Sequence, residues 1–293
     1  MRKSAFAGYH PAVNAAYFLL VLTGAVCWMH PLALGVSAVC AAGYAAVVLT
    51  PRVLERRLLW LLPVMGLAAV INPAFNHRGA TILAYLPSGN PLTLESLAYG
   101  LAAAGMLAAV LLWCACLHQV VDTEKILYLL GRPLPTLSLV LAMALGFVPR
   151  FRQQSQKVAQ ARKAAGWEVS RRRLREAVTR FSILVTWALE TAVETADSLA
   201  GRGCGLPGRT AFSPFRLERR DLWALAFLLL GGGFVLWRVA GGGLAWQWFP
   251  RMGGPAPGPG DWAVLVVYGA VCALPLILEG KEAWLWRRSR SRI

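Results

Sequence analysis

Residues 11–51 of this chain contain no Asp, Glu, Lys or Arg, and neither do residues 96–121. Stretches of that length without a charge have no use on a soluble surface. A bilayer core about 30 Å thick, by contrast, needs about 20 apolar residues per helix. Only 15% of the 293 residues are charged and 57% are hydrophobic, against about a quarter charged in an ordinary soluble domain. These features exclude a soluble enzyme, an intrinsically disordered chain and a secreted disulfide scaffold. They predict an all-α, polytopic membrane protein.

The first charge-free block reads as a hairpin of two spans, about 12–29 and 32–50, turning at Met29-His30-Pro31. No small-residue cleavage site follows the first apolar run, so a signal peptide is not expected. Arg52, Glu55, Arg56 and Arg57 form a basic loop before a third span at about 58–71, kinked by Pro63. That span is short, which leaves room for its lower boundary to lie deeper in the basic loop. Turn signals fill 72–95 (Asn72-Pro73, Asn76-His77-Arg78-Gly79 and Pro87-Ser88-Gly89-Asn90-Pro91) and mark a weakly charged external loop. A fourth span covers 97–117, and two more fall at about 222–239 and 262–278, separated by Gly- and Pro-rich sequence.

Charge sets the orientation. The net charge of +16 arises from 30 basic against 14 acidic residues, an excess that in a soluble protein would suggest nucleic acid. Here Arg2 and Lys3, the 52–57 loop, the 150–220 region and the tail with Lys281, Arg287, Arg288, Arg290 and Arg292 alternate with weakly charged loops. Under the positive-inside rule this gives about six transmembrane helices in the cell membrane with both termini cytoplasmic. Nucleic acid is not an expected partner; the lipid bilayer is. The six cysteines (Cys27, Cys40, Cys114, Cys116, Cys204 and Cys272) show neither zinc nor disulfide spacing. No metal or cofactor site is expected.

Three divisions follow: 1–132 with four membrane spans, 133–220 as a cytoplasmic insert, and 221–293 with two spans and a basic tail. Within the insert, Pro133–Pro149 is apolar but flanked by Arg132 and Arg150, so it is expected to lie along the inner interface. Residues 150–180 carry ten basic residues and read as helix with a break near Gly166. Residues 181–200 are helical by period. Phe181, Leu184, Val185, Ala188, Ala192, Ala196 and Leu199 form an apolar stripe, and Glu190, Glu194 and Asp197 form an acidic one. The carboxylates fit either a proton or cation relay or pairing with the neighbouring arginine-rich helix, and pairing is the simpler expectation.

Gly203 to Thr210 spells G-x-x-x-x-G-R-T, one residue from a phosphate-binding loop. A helix precedes it, Pro214 follows it, and Arg209 replaces the lysine. Such a loop needs a strand before it and a helix after it, so the chain is not expected to hydrolyse ATP.

Several stretches together resemble the transmembrane T component of energy-coupling factor (ECF) transporters. They are Val193 to Thr210, Tyr9-His10-Pro11-Ala12-Val13-Asn14, Asn72 to Gly79, Leu86 to Glu95, and Phe147-Val148-Pro149-Arg150-Phe151, covering most of residues 9–221. The resemblance implies a membrane scaffold with long cytoplasmic coupling helices. It implies two ABC-type ATPase subunits and a substrate-binding S component, for a vitamin or metal ion, as partners. In that family two Ala-Arg-Gly motifs at coupling-helix ends contact the ATPases. The second is matched here by Gly201-Arg202-Gly203. The first falls at Ala164-Ala165-Gly166, where Ala165 replaces the arginine and Arg162 or Lys163 stands within one turn. The function so implied is that of a non-catalytic coupling subunit, with substrate contacts made in the S component. The alternative, a self-sufficient secondary transporter or channel, would need ionisable groups inside its spans; the six spans have no Asp, Glu, Lys or Arg in their interiors. For Arg202 itself the simplest structural reading is a side chain in water beside two helix-ending glycines.

Overall fold

In the computed structural model, residues 4–76, 78–85, 91–131, 133–166, 173–207, 215–256 and 258–290 are described, with backbone alone at 173–176 and 290. They form α1 (Pro11–Cys27), α2 (Pro31–Val48), α3 (Pro51–Phe75), β1 (Ile82–Tyr85), β2 (Pro91–Thr93) and α4 (Leu94–Val120). There follow α5 (Thr123–Gly131), α6 (Pro135–Ala164), α7 (Arg173–Gly201), α8 (Arg219–Ala240) and α9 (Pro259–Arg290). Among the described residues the regular structure is helical apart from one small antiparallel hairpin, in which Tyr85 faces Pro91 and Ile82 faces Thr93, and a lone bridge between Gln247 and Gly253. Five helices (α2, α3, α4, α8 and α9) are long and apolar enough to cross a membrane, and α1 is a shorter apolar helix of 17 residues. This is a multi-pass membrane protein.

Two compact units divide the chain. One comprises residues 1–125 together with 215–293, the other Ile126–Pro214. The first unit holds the core. Tyr17 of α1, Tyr44 of α2, Trp113 of α4 and Tyr268 of α9 are almost fully buried. Tyr17 and Trp113 meet edge-on at 5.9 Å and Tyr44 and Trp113 tilted at 6.3 Å between centroids, while Tyr268 meets Trp28 edge-on at 5.1 Å. Buried polar atoms on these rings need partners in a membrane interior. Trp113 Nε1 donates to Ser37 Oγ at 3.1 Å, and the Tyr17 hydroxyl donates to the Cys272 carbonyl at 3.0 Å. Two of the six cysteines, Cys116 and Cys272, are packed into this core, and all six are free thiols.

Helix α3 corrects the expected basic loop. Arg52, Glu55, Arg56 and Arg57 lie in its first two turns, because Pro51 occupies the first helical position, where its missing N–H costs nothing. Pro63 and Pro73 both sit inside the same helix. Its large side chains point outward: Leu59, Trp60, Leu62, Leu67, Val70 and Phe75 are all well exposed. On a membrane-spanning helix that is a lipid-facing surface.

Candidate docking site

The two sequence motifs occupy the ends of the two longest helices of the second unit. Helix α6 runs unbroken through Pro149, so the apolar Pro133–Pro149 piece and the basic residues after it belong largely to one helix. At its end Ala165 is the last residue with right-handed backbone, and Gly166 takes φ +72°. The Gly166 N–H returns to the Lys163 carbonyl at 3.2 Å. Helix α7 ends the same way. Arg202 precedes Gly203, which takes φ +73°; the Gly203 N–H reaches Ala200 O at 3.0 Å and the Cys204 N–H reaches Leu199 O at 3.0 Å. These two bonds make the left-handed Schellman cap, which satisfies carbonyls that a helix end otherwise leaves open. A Cβ at Gly203 would be strained by that φ and would lie 3.0 Å from Leu206 Cδ1.

Ala165 and Arg202 are therefore equivalent positions, each the last residue before a left-handed glycine. The structure brings Ala164-Ala165-Gly166 and Gly201-Arg202-Gly203 into one geometric class. Arg202 is exposed; its backbone N–H bonds Ser198 O and Leu199 O at 3.2 Å, and among the described residues no hydrogen bond or ion pair engages its side chain. It follows the C-terminal residue of α7, the end at which a helix dipole favours a cation. Space around Gly201 is open, with no atom within 4 Å of where a Cβ would be. At the α6 end Lys163 is exposed while Arg162 is half-buried, so Lys163 is the better placed of the two to offer a charge in place of Ala165.

The two ends are far apart. Phe147 of α6 packs on Trp187 of α7 with ring centroids 5.4 Å apart. From that contact Ala164 lies about 25 Å along α6, and Arg173 about 21 Å back along α7. The chain joining Ala164 to Arg173 can reach at most about 32 Å, which is too short if the helices run the same way. They must run oppositely or cross steeply, which puts Ala165 and Arg202 on different arms, roughly 30 Å or more apart.

That geometry corrects the expected pairing of the acidic stripe with the arginine-rich helix. Arg150, Arg152, Lys157 and Lys163 follow Phe147 up one arm, whereas Glu190, Glu194 and Asp197 follow Trp187 down the other. Among the described residues none of the three carboxylates makes an ion pair. All three are exposed. Arg171 and Arg172 lie outside the described residues, as do His77, Pro87 to Asn90, Arg132 and the Gly208-Arg209-Thr210 end of the phosphate-loop lookalike. Of that lookalike, Gly203 and Gly205 are described, both left-handed and both following a helix.

The sequence reading missed a set of buried ionisable groups at the two points where the chain leaves and re-enters the membrane unit. At the exit, Lys125 is 5% exposed and donates to Ala7 O at 2.6 Å and Val120 O at 2.9 Å. Burial pushes its ammonium below the ordinary lysine value, with Asp122 opposing. With its amide turned to suit its neighbours, buried Asn14 accepts from Lys125 Nζ at 2.7 Å and donates to Phe6 O at 3.0 Å. At the return, Asp221 is 1% exposed. It accepts from the His10 N–H at 3.3 Å and from the Glu218 N–H at 3.0 Å, the latter within a reciprocal capping box. Arg220 lies over the Tyr9 ring at 5.2 Å and donates to Gly8 O. Residues 6–14 thus engage the membrane unit's residues just before and just after the 126–214 segment. The pattern Glu218-x-x-Asp221 was the available signal.

A second tie holds the opposite face. Glu95, 2% exposed, accepts from Thr81 N at 3.2 Å and Thr81 Oγ1 at 2.8 Å, and Thr93 Oγ1 caps α4 by accepting from Ser96 N at 3.3 Å. Gly79 is required there, since a Cβ would come within 2.6 Å of Glu95 Oε2. Glu95 is therefore a buried structural carboxylate rather than a loop charge. Among the described residues no cluster of His, Cys, Asp and Glu could hold a metal ion.

In comparisons with known proteins, no family model matches the chain and no curated protein matches it.

Proposed function

We propose that this chain is the non-catalytic transmembrane coupling subunit of an ATP-driven ECF-type importer. It would span the cell membrane six times, α1 being the sixth span, with both termini in the cytoplasm. Two ABC-type ATPase subunits would dock on the helix ends Ala164-Ala165-Gly166 and Gly201-Arg202-Gly203. A separate S component would carry the vitamin or metal ion.

The observation that carries this reading is the pair of like-capped helix ends held roughly 30 Å or more apart on one hairpin. Two such ends suit two copies of one partner better than a single binding pocket. The hairpin's surface supports it too. Leu184 is the one buried residue among those described in 126–214, while Leu137, Val140, Val148, Phe181, Leu189 and Val193 stand exposed. Burying one leucine contributes about 1.5–3 kcal/mol, little beside the entropy of ordering two helices of 30 and 29 residues. Such helices need a covering partner or lipid. The buried ionisable groups give no support to a self-sufficient transporter, since Glu95, Lys125 and Asp221 all lie at helix ends and are engaged by neighbours.

The test is affinity purification of the tagged chain from its own cells. Recovery of two ATPase subunits and a small membrane protein, with ATP-dependent uptake lost when the chain is deleted, is the expected result. Substrate uptake by the chain alone in liposomes would overturn the proposal.

A further inference from the structure

A groove of about 720 Å³ lies between α3 and α4, lined at one end by Arg52, Arg56 and Arg57 and beyond them by Trp60, Val64 and Leu111. Arg52, Arg56, Trp60 and Val64 recur every four residues and so form one stripe along α3. From Arg52 to Val64 that stripe is about 18 Å long, close to the depth of one leaflet, half of about 30 Å. The charged end meets no acidic partner. Among the described residues no ion pair engages the three arginines, and Glu55 is not part of the lining.

Helix stability does not explain them. Cations in the first turns of a helix oppose its dipole, whose positive end lies there. The same amides and dipole favour an anion, so arginines and helix start act together on one negative group. Arginine's planar fork suits a phosphate. Below it, the wall offers only apolar side chains.

We propose that this groove is a specific site for an anionic phospholipid. Its phosphate and headgroup would be held by Arg52, Arg56 and Arg57 at the start of α3, and one acyl chain would lie along Trp60, Val64 and Leu111. Basic pockets between membrane helices are a general means of holding such headgroups. The site depends on α3 spanning the membrane and not on the coupling function, so either can fail without the other.

Native mass spectrometry of the purified full chain, released from detergent after incubation with phosphatidylglycerol or phosphatidylcholine, tests it. Phosphatidylglycerol should be retained in preference. Arg56→Gln with Arg57→Gln should cut that retention by about 10- to 30-fold, at roughly one lipid contact per arginine. Leu111→Trp, which fills the groove without changing charge, should cut it comparably, while Arg152→Gln with Lys157→Gln should leave it unchanged. Thermal stability of each variant in detergent separates lost lipid from lost fold. Equal retention of the two lipids, or insensitivity to Leu111→Trp, would reduce the arginines to general surface charge and overturn the proposal. Displacement of phosphatidylglycerol by millimolar inorganic phosphate would do the same, by showing that the groove contributes nothing.

Discussion

The membrane unit and the α6–α7 pair are both built of long helices but differ in how much they bury. In the first, the rings of Tyr17 and Tyr44 pack on Trp113, Tyr268 of α9 packs on Trp28, and the polar atoms of Tyr17 and Trp113 are bonded. In the second, two helices of similar length meet at Phe147 and Trp187 and, among the described residues, bury a single leucine. The membrane unit is stabilised from within. Among the described residues the α6–α7 pair leaves Glu190, Glu194, Asp197 and the Arg202 side chain exposed and without ion pairs. The contacts of residues 6–14 with Lys125 and Asp221 belong to the membrane unit itself.

The contrast can be broken most strongly at Trp113. Trp113→Ala should cost about 3–5 kcal/mol, the range for emptying a large aromatic site, and lower the unfolding temperature in detergent markedly. Trp187→Ala should leave it nearly unchanged. Equal losses would mean that the hairpin also has a core. Next in size are the contacts of residues 6–14. Asp221→Ala removes an acceptor from two backbone N–H groups and should cost about 1.5–3 kcal/mol, readable as faster proteolysis near residue 215. Gly203→Val should cost about 1–2 kcal/mol for the left-handed backbone alone, and hydrogen exchange would show it as fraying confined to the last turn of α7. Smallest is Gly201→Ala. Alanine is better than glycine inside a helix by about 0.5–1 kcal/mol, and its methyl meets nothing in this chain. The chain alone should therefore gain slightly in stability, while a partner whose backbone approaches Gly201 would be recovered less well in a pull-down. Unchanged recovery would argue that no backbone approaches there.

Much of the membrane architecture was legible because charge-free length is a blunt and reliable signal. The hairpin α1–α2 and helix α4 follow from it directly. Helix α3 was only half visible, since Arg52, Arg56 and Arg57 imitate a loop and only Pro51 signals a helix start. The helix break at Gly166 was readable from its glycine and the lack of other breakers upstream. Pro149 masked the continuity of α6. The acidic stripe misled because it records which residues share a face, not which stretch of the basic helix lies beside them. The α6–α7 crossing set by Phe147 and Trp187 is a tertiary contact with no local trace. Glu95, Lys125 and Asp221 were hidden for the same reason, as isolated charges at span ends look like ordinary boundary residues until the N-terminal segment and the β-hairpin are folded onto them.

Arg202→Ala tests the account at its centre, because the Arg202 side chain is exposed and free in this chain and so has little to lose in folding. A contact with an ATPase would bury it. Removing one member of a buried charged pair costs about 3–5 kcal/mol, on the order of 100- to 1000-fold or more in affinity at 1.4 kcal/mol per factor of ten. The measurement is substrate uptake in cells expressing the tagged variant, with ATPase recovery on the same tag. The account predicts normal membrane insertion and thermal stability, loss of uptake, and ATPase subunits uncoupled or missing from the pull-down. Normal uptake with both ATPases retained would contradict it, leaving Gly201-Arg202-Gly203 as a helix cap and nothing more.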